Sequence, residues 1–600
     1  MPAKSVTPAR RRCHERAGRN NTFSSAGRRR RGIVIVVVTV VILLVSLAAY
    51  GFLTLMQTEN KAALARGDQL QAKSVASSGR EYLARLLELP RSERPVKAER
   101  DDVSDGFQDI LVDGDSDESD EFARQGRFSI LASNHDETGT RDWRFGYENE
   151  SAKIHLALLL DLEREQPGAG QDALMNLPNM DESTADAILD WIDEDDQRRG
   201  QGAESEYYSG LSPPRSPRNA VPPALEELLL VKGVTRAKLF GADQNADFEV
   251  DASEGQRGQQ TGGFASEGRK PWRRYLTVHA GERDEMHDGG SRIRLNQSDL
   301  AALHRELSAA FDPSWANFIV AYRQYGPYSG SESGGEASEL SVDLSQPADQ
   351  KIESPLELID ARVAIPAQQG ASRRSPSQRS ASRGSASRGS ASRRRANRGS
   401  ASRGSMSRGN ANRTNAGPGR AGRGNASPGG SGEQDGEDDV EVFASPFTGD
   451  PGQMREYLPR LMDGVTVGSG SPIHGRINVN LAPPEVLAAL PGIDTATAER
   501  IASSRSMSSM GTEGRRHAVW LLIEEIVDRD QMRRLERYVT TGGAVGRAQI
   551  IGYYGHGSPI TRFETVVDAT EPPARQVYYK GLRRLGRGIA EDVMNITSGP

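Results

Sequence analysis

Between residues 190 and 204 the chain reads DWIDEDDQRRGQGAE, which gathers Asp190, Asp193, Asp195, Asp196 and Glu204 into one short stretch. Carboxylates are hard oxygen donors of the kind calcium takes. This block lacks EF-hand spacing, so its geometry does not follow from the sequence, and a solvated acidic loop is an equal reading of it. The acidic run from Asp113 to Glu121 reads as solvated only. Nothing else in the chain assembles chemistry. None of the nine histidines stands in His-Glu-x-x-His or in a close pair at metal spacing, and neither a Gly-x-Ser-x-Gly elbow nor a Walker phosphate loop occurs. The single cysteine, Cys13, leaves the rest of the chain without a disulfide, a thiolate metal site or a Cys nucleophile. The chain reads as non-catalytic, with no required cofactor and calcium as the one candidate ion.

The elements that hold the acidic block recur. A strand-like stretch at Trp143 to Tyr147 leads into NESAKIHLALLLDLE and LPNMDESTADAILDWIDEDDQ, and the same order returns as GRINVNLAPPEVLAALPGIDTATAERIASSR. Aligned with a gap, Ile154 faces Ile477, Leu177-Pro178 faces Leu490-Pro491, Asp181 faces Asp494, Ala185 faces Ala498 and Ile188 faces Ile501. A weaker copy begins at Ser291, keeps the Arg-Ile-x-Leu-Asn start and lacks the Leu-Pro-Gly turn. Each copy predicts a short strand, a helix, a tight turn and a second helix, with Asp181 or Asp494 capping that second helix. The turns, Leu177, Pro178 and Asp181 in one copy and Leu490, Pro491, Gly492 and Asp494 in the other, have the outline of a helix-hairpin-helix. Such a turn can offer backbone N–H groups to a phosphate. A carboxylate at that point opposes one, so the hairpins are expected to serve helix packing.

Hydrophobic residues make up 36% of 600 positions, with 63 Gly, and mean hydropathy is −0.60. Folded pieces separated by unpacked ones are therefore expected. A net charge of −6 excludes a globally basic nucleic-acid binder. No charged residue falls between Gly32 and Thr58, and this run is long enough at about 1.5 Å per residue to cross a hydrocarbon core. Arg28 to Arg31 precede it with no matching basic cluster directly after, which keeps the N-terminus cytoplasmic and exports the bulk. A cleaved secretory signal ending near Ala48 is the competing reading, but the apolar run is too long for it. An uncut anchor is the plain one.

The basic leader ending in Gly32, followed at once by the apolar run and then by proline-free helical sequence as far as Pro90, resembles a type IV pilin-like leader. That resemblance implies cleavage by a prepilin peptidase between Gly32 and Ile33. Pilins carry a glutamate at the fifth mature position, where this chain has Val37; lacking it is a property of the K pseudopilin. A longer block is similar to that family as well: Asp190-Trp191-Ile192-Asp193, the acidic loop, Gly202-Ala203-Glu204, Tyr207-Tyr208, Pro213-Pro214, Asn219, and Val231 to Thr235. On these residues the chain resembles the minor pseudopilin K of the type II secretion system, also called general secretion pathway protein K. The resemblance covers residues 33 to about 250 and about 440 to 590.

The resemblance implies an α+β fold: a long N-terminal transmembrane helix and a pseudopilin-type antiparallel sheet with an inserted helical domain of helix-hairpin-helix-like repeats, to which this chain adds a disordered insert. It implies calcium in the helical domain, the I and J minor pseudopilins, prepilin peptidase and the inner membrane as partners, and a role at the tip of the pseudopilus in export of folded proteins. Nucleic acid is not an expected partner. The alternative is an exported, membrane-anchored DNA receptor of the competence type, which INVNLAPPEVLAALPGID also resembles. The expected divisions are a leader at 1–32, a transmembrane helix at 33–56, a stalk at 57–90, a first sheet part at 91–156 and a first helical repeat domain at 157–250. An extra region with a divergent repeat follows at 251–369, then a disordered Ser/Arg/Gly-rich linker at 370–439, a helical repeat domain at 440–545, and C-terminal strands with a tail at 546–600.

Overall fold

The computed structural model describes residues 30–112, 125–134, 142–250, 254, 270–330, 334–366, 440–468, 470, 472–507, 513–554 and 560–586. The leader as far as residue 29, with Cys13, the acidic run from Asp113 and the tract at 370–439 lie outside these residues.

Helix α1 runs unbroken over Arg30–Glu88, 59 residues. No proline interrupts it until Pro90, whose ring and missing N–H cannot continue a helix. Its side chains from Ile33 to Asp68 are exposed, and the Ile, Val and Leu among them suit hydrocarbon and not water. This is one helix long and apolar enough to cross a membrane, and the chain is a single-pass membrane-anchored protein. From Ala72 the helix acquires a buried stripe of Ala72, Val75, Ala76, Leu83 and Leu87, spaced to share one face.

That stripe packs on a seven-stranded sheet made from both ends of the exported chain: β1 (Ile110–Leu111), β2 (Gly126–Ser133), β3 (Trp143–Phe145), β4 (Glu148–Asn149), β5 (Val545–Tyr554), β6 (Thr561–Asp568) and β7 (Arg575–Gly581). The order is β1-β2-β5-β6-β7, with β3 paired to β2 and β4 to β5. All pairs are antiparallel, and Ile550 of β5 faces both Ile130 of β2 and Phe563 of β6. Phe128, Ile130, Ile550, Tyr553 and Phe563 join the helix stripe in one core. The helix backbone comes very close: a Cβ on Gly552 would stand 2.5 Å from the Ala72 carbonyl oxygen. The mixed helix-and-sheet architecture and its long apolar N-terminal helix agree with the α+β expectation. The strand at Ile154–His155, expected near the end of the first sheet part, pairs outside this sheet.

Three two-residue parallel pairs tie the helical insertions off: Ile154–His155 with Leu276–Thr277, Ile293–Arg294 with Val465–Thr466, and Ile477–Asn478 with Val539–Thr540. Gly281–Glu282 pairs antiparallel with Ile473–His474. The chain between the first and last of these pairs thus leaves and returns at neighbouring points. In the first copy two helices, α2 (Leu156–Glu165) and α3 (Ala169–Met175), precede the turn, where one was expected, and α4 (Glu182–Ile192) follows it. In the later copy the helix before the turn is the single turn Pro484–Leu487, and Thr495–Met507 follows. Ile154, Ala185, Ile188, Ile477, Ala498 and Ile501 are all fully buried. Residues 298–351 and 358–446 form a second compact unit. It contains helices Leu300–Ala310 and Pro313–Tyr325 and the antiparallel pair Arg362–Pro366 with Val440–Ala444.

Candidate metal centre

Helix α4 is buried on every side from Thr184 to Ile192, yet carries Asp186 and Asp190. A buried carboxylate must be hydrogen-bonded or neutralised, and these two are served by the loop that follows. Asp186 accepts from the Gln171 side chain at 2.6 Å and from the Gln201 N–H at 2.8 Å. Asp190 accepts the N–H groups of Arg199 at 3.1 Å and Ala203 at 2.7 Å, one on each oxygen. Gly202 is required by this contact, because a Cβ there would lie 2.0 Å from Asp190 Oδ2. The acidic loop is therefore wrapped over α4 by its own backbone donors.

Beyond α4, Asp193 caps the helix and its Oδ2 accepts from Arg199 at 3.3 Å. The same guanidinium reaches Glu163 at 3.1 Å. Glu204 precedes the short helix α5 (Ser205–Ser209) and is 4% exposed. Both its oxygens are buried and receive no donor among the described residues, and so is Asp193 Oδ1. Asp196 beside Glu204 is itself an acceptor, and the two can bond only by holding a proton between them. Burial pushes Glu204 up to about 8, reinforced by the charges of Asp190, Asp193 and Asp196. Burial likewise raises Asp190 to about 6 against the two N–H bonds that favour its charge, and it raises Asp193. Asp195 and Asp196 lie on the exposed rim, accepting from the N–H groups of Gln197 and Ser205. Of the five acids singled out by sequence, Asp190 and Glu204 are buried, Asp193 is partly buried, and Asp195 and Asp196 are exposed. Among the described residues no three carboxylate, histidine or thiol side chains stand ready at metal-ligand spacing. An ion here would draw on mixed oxygens.

The turn residues are placed for packing and capping. Leu177 and Leu490 are buried. Asp181 Oδ1 accepts the Thr184 N–H at 3.0 Å while its Oδ2 accepts from Lys238 at 2.7 Å, and Asp494 accepts the Thr497 N–H at 2.8 Å. Asp181 is held low, the Lys238 and Thr184 hydrogen bonds overcoming the opposing effect of burial. Gly492 adopts φ +74° between Pro491 and Asp494. Gly32 and Ile33 sit in the first turn of α1.

One loop escaped the sequence reading. Residues 243–254, DQNADFEVDASE, carry Asp243, Asn245, Asp247 and Glu254 at the first, third, fifth and twelfth places of an EF-hand loop. Asp251 holds the ninth and lies outside the described residues. The sixth place, normally glycine because the chain turns sharply there, is Phe248, and it nevertheless takes φ +72°. Asp243 accepts the N–H groups of Ala246 at 2.6 Å and Phe248 at 3.0 Å, and Glu254 returns to accept those of Gln244 at 2.9 Å and Asn245 at 3.2 Å. The buried Arg562 of β6 holds the Asn245 and Ala246 carbonyls from outside at 2.8 and 2.7 Å. The spacing was the available signal, and the missing glycine concealed it.

The loop, α4 and the hairpin fall inside a single sequence match, since residues 151–240 match the family Type II secretion system (T2SS), protein K. Over these residues the chain is similar to protein K. No curated protein matches the chain. That description names a component of the type II secretion system, and the match supports a role for this chain in type II secretion. The expected resemblance is thereby found on the block from Asp190 to Thr235, while the leader, Val37 and residues 440–590 lie outside the matched stretch. The loop at 243–254 lies just beyond the matched stretch.

Proposed function

We propose that this chain is the K-type minor pseudopilin of the pseudopilus tip, where with I- and J-type pseudopilins it starts assembly and supports export of folded proteins. The observation that carries the reading is the protein K stretch joined to an unbroken helix that leaves an apolar segment and packs directly on an antiparallel sheet. The N-terminus would be cytoplasmic and the bulk periplasmic in the inner membrane, with prepilin peptidase removing the leader after Gly32. The three parallel pairs and the matched burial of aligned residues support an origin of the helical insertion in repeats. Purification of the full chain from membrane extracts should recover other pseudopilins. Recovery of DNA instead, with salt-dependent retardation in a gel shift, would favour the competence-receptor reading. The carboxylates of Asp181 and Asp494 at the hairpins oppose that outcome.

Calcium is the ion we assign to the helical region. Glu204 and Asp193 fit it through buried oxygens that lack donors, and the loop at 243–254 fits it through its spacing and its turn. Hard cations take six to eight such oxygens. An ion there would fix the loops that wrap α4 and β6, which is a structural and not a catalytic service.

A further inference from the structure

The helix Thr495–Met507 ends among guanidinium groups that the fold serves only in part. Arg505, in its last turn, donates from Nη2 to the Ala482 carbonyl at 2.7 Å, while its Nε is buried and meets no acceptor among the described residues. Arg515 donates from Nη2 to the Ser504 carbonyl at 2.9 Å and to Glu524 at 3.0 Å, and its Nε and Nη1 are likewise buried and bare. The Arg515 side chain is 10% exposed. It is also held in place: its guanidinium lies 4.2 Å from the centre of the Trp520 ring, Trp520 donates to Asn480 at 3.0 Å, and Asn480 donates to the Arg515 carbonyl at 3.0 Å. Arg100, in the chain that follows α1, is exposed and its side chain has no partner among the described residues. Burial pushes Arg505 down to about 9, reinforced by the charges of Arg100 and Arg515, and no carboxylate among the described residues offsets them.

A buried acid can shed its charge by taking up a proton, but a guanidinium at neutral pH keeps its charge even when burial lowers it this far. Its bare N–H groups are costly until an acceptor reaches them. Carbonyls at a helix C-terminus suit cations, and here they occupy one nitrogen of each arginine and leave three bare. Three guanidinium groups face one carboxylate, Glu524, so two positive charges stay uncompensated among the described residues. We propose that Arg100, Arg505 and Arg515 form a binding site for a doubly charged oxyanion of the phosphate type, with the buried nitrogens of Arg505 and Arg515 contacting it and Arg100 at its mouth. The site lies at the C-terminal end of its helix, whereas the hairpin turn at Pro491 to Asp494 precedes the N-terminal end. It is therefore separate from the backbone phosphate site that a helix-hairpin-helix would offer. A bound anion would join the chain that follows α1 to the last helical insertion.

The test is titration of the full chain in detergent with inorganic phosphate by calorimetry, in chelator and against sodium chloride at matched ionic strength, with thermal unfolding in both salts. Saturable binding of phosphate is expected, with a melting midpoint that rises in phosphate and not in chloride, since the anion binds only the folded form. Arg100→Gln removes an exposed charge that has no partner to lose. Its midpoint in chloride should be unchanged or raised, while phosphate affinity falls about tenfold. Arg505→Gln keeps an amide donor near the Ala482 carbonyl and should abolish binding. A parent without saturable phosphate binding would make these arginines carbonyl caps only and overturn the site. Binding that both variants leave intact would place the anion elsewhere and overturn it as well. Should Arg505→Gln fail to fold, Arg100→Gln decides the matter alone. Displacement of the phosphate by a short DNA duplex, weakened equally by Arg100→Gln, would overturn the small-anion assignment in favour of a nucleic-acid phosphate.

Discussion

Thr540 donates its hydroxyl to Glu282 across 258 residues of chain, closing the last helical insertion where it opens. Arg476 completes the contact on the other oxygen of Glu282 at 3.1 Å. The same arrangement occurs twice more, as Thr277 with Glu150 and Arg547, and as Thr466 with Asp284 and Arg292. In each case the threonine hydroxyl also accepts the N–H two residues on, at 3.0 to 3.1 Å. A β-branched residue ends the closing strand, and its one hydroxyl both turns the chain and engages a buried carboxylate. Glu150→Ala would remove the counter-ion that Lys153 and Arg547 share, leaving Lys153 to Glu148 and Arg547 to Glu564. Loss of about 1–3 kcal/mol is expected in denaturant unfolding. Thr540→Val should cost about 1–3 kcal/mol by stranding one oxygen of Glu282.

Gly552 is where the stalk helix meets the central strand. Any side chain there drives into the backbone of Ala72 and Ala76 and not into a movable side chain. Gly552→Leu should therefore separate α1 from the sheet at that level, at about 1–3 kcal/mol or more. Faster amide exchange in residues 72–87, with the strand pairing of β5 and β6 retained, is the expected signature.

Much of this was readable in advance where the pattern was long. The apolar run, the proline-free stalk and the alternating strands at both ends gave the membrane helix and the two halves of the sheet. The closing strands were not readable, because two residues show no periodicity and their partners lie more than 60 residues away. At the site, residue type found the acids but could not sort them. Asp190 and Glu204 look alike in sequence, and only the fold gives Asp190 two N–H donors and Glu204 none. The loop at 243–254 was missed because Phe248 stands where a glycine is expected, and the backbone adopts the required turn regardless.

Acid should loosen the insertion at its root in two stages. His155 accepts the Ala157 N–H on Nδ1, so Nε2 carries the proton and meets the Val278 carbonyl at 3.0 Å. Burial, with the charges of His474 and His279, depresses it to about 4. A histidine held below its ordinary value contributes stability that is present above about 6.5 and is lost as pH falls towards 4. His279, His287 and His517 are shifted the same way, chiefly by burial. Glu150 is held near 2 by Arg547 and Lys153 against its own burial, so its contribution is lost between about 4.5 and 2. Melting midpoints measured from pH 7 downwards should fall through both windows. His155→Gln should lower the midpoint at pH 7 and flatten the upper window in part.

The loop at 243–254 should account for one calcium of its own. Its twelfth-place glutamate already returns to the start of the loop, and that residue commonly supplies two oxygens to the ion. Glu254→Gln should lower the calcium stoichiometry by one and cut the calcium-dependent rise in melting midpoint, which follows from binding only the folded form. Unchanged stoichiometry would remove this loop from the account and leave the Glu204 site standing.

Processing separates a pseudopilin from a plain anchor. The Gly32–Ile33 bond lies in the first turn of α1, which begins at Arg30. The first N–H groups of a helix have no partner within it, so this turn can unwind into a peptidase more easily than any later one. A cut at that bond leaves the apolar helix attached to the exported body and gives a mature chain that begins IVIVVVTV. Cys13 departs with the leader, and because it is the only cysteine in 600 residues, the mature protein can no longer react with a maleimide. Gly32→Leu places a bulky side chain at the cut and should leave the full-length, maleimide-reactive chain in the membrane. Intact mass and N-terminal sequencing of extracted protein decide the matter. An N-terminus near Ala49 would mean ordinary secretion, while retention of Cys13 in the unaltered protein would mean an uncut anchor, and either result overturns the pseudopilin reading of the N-terminus.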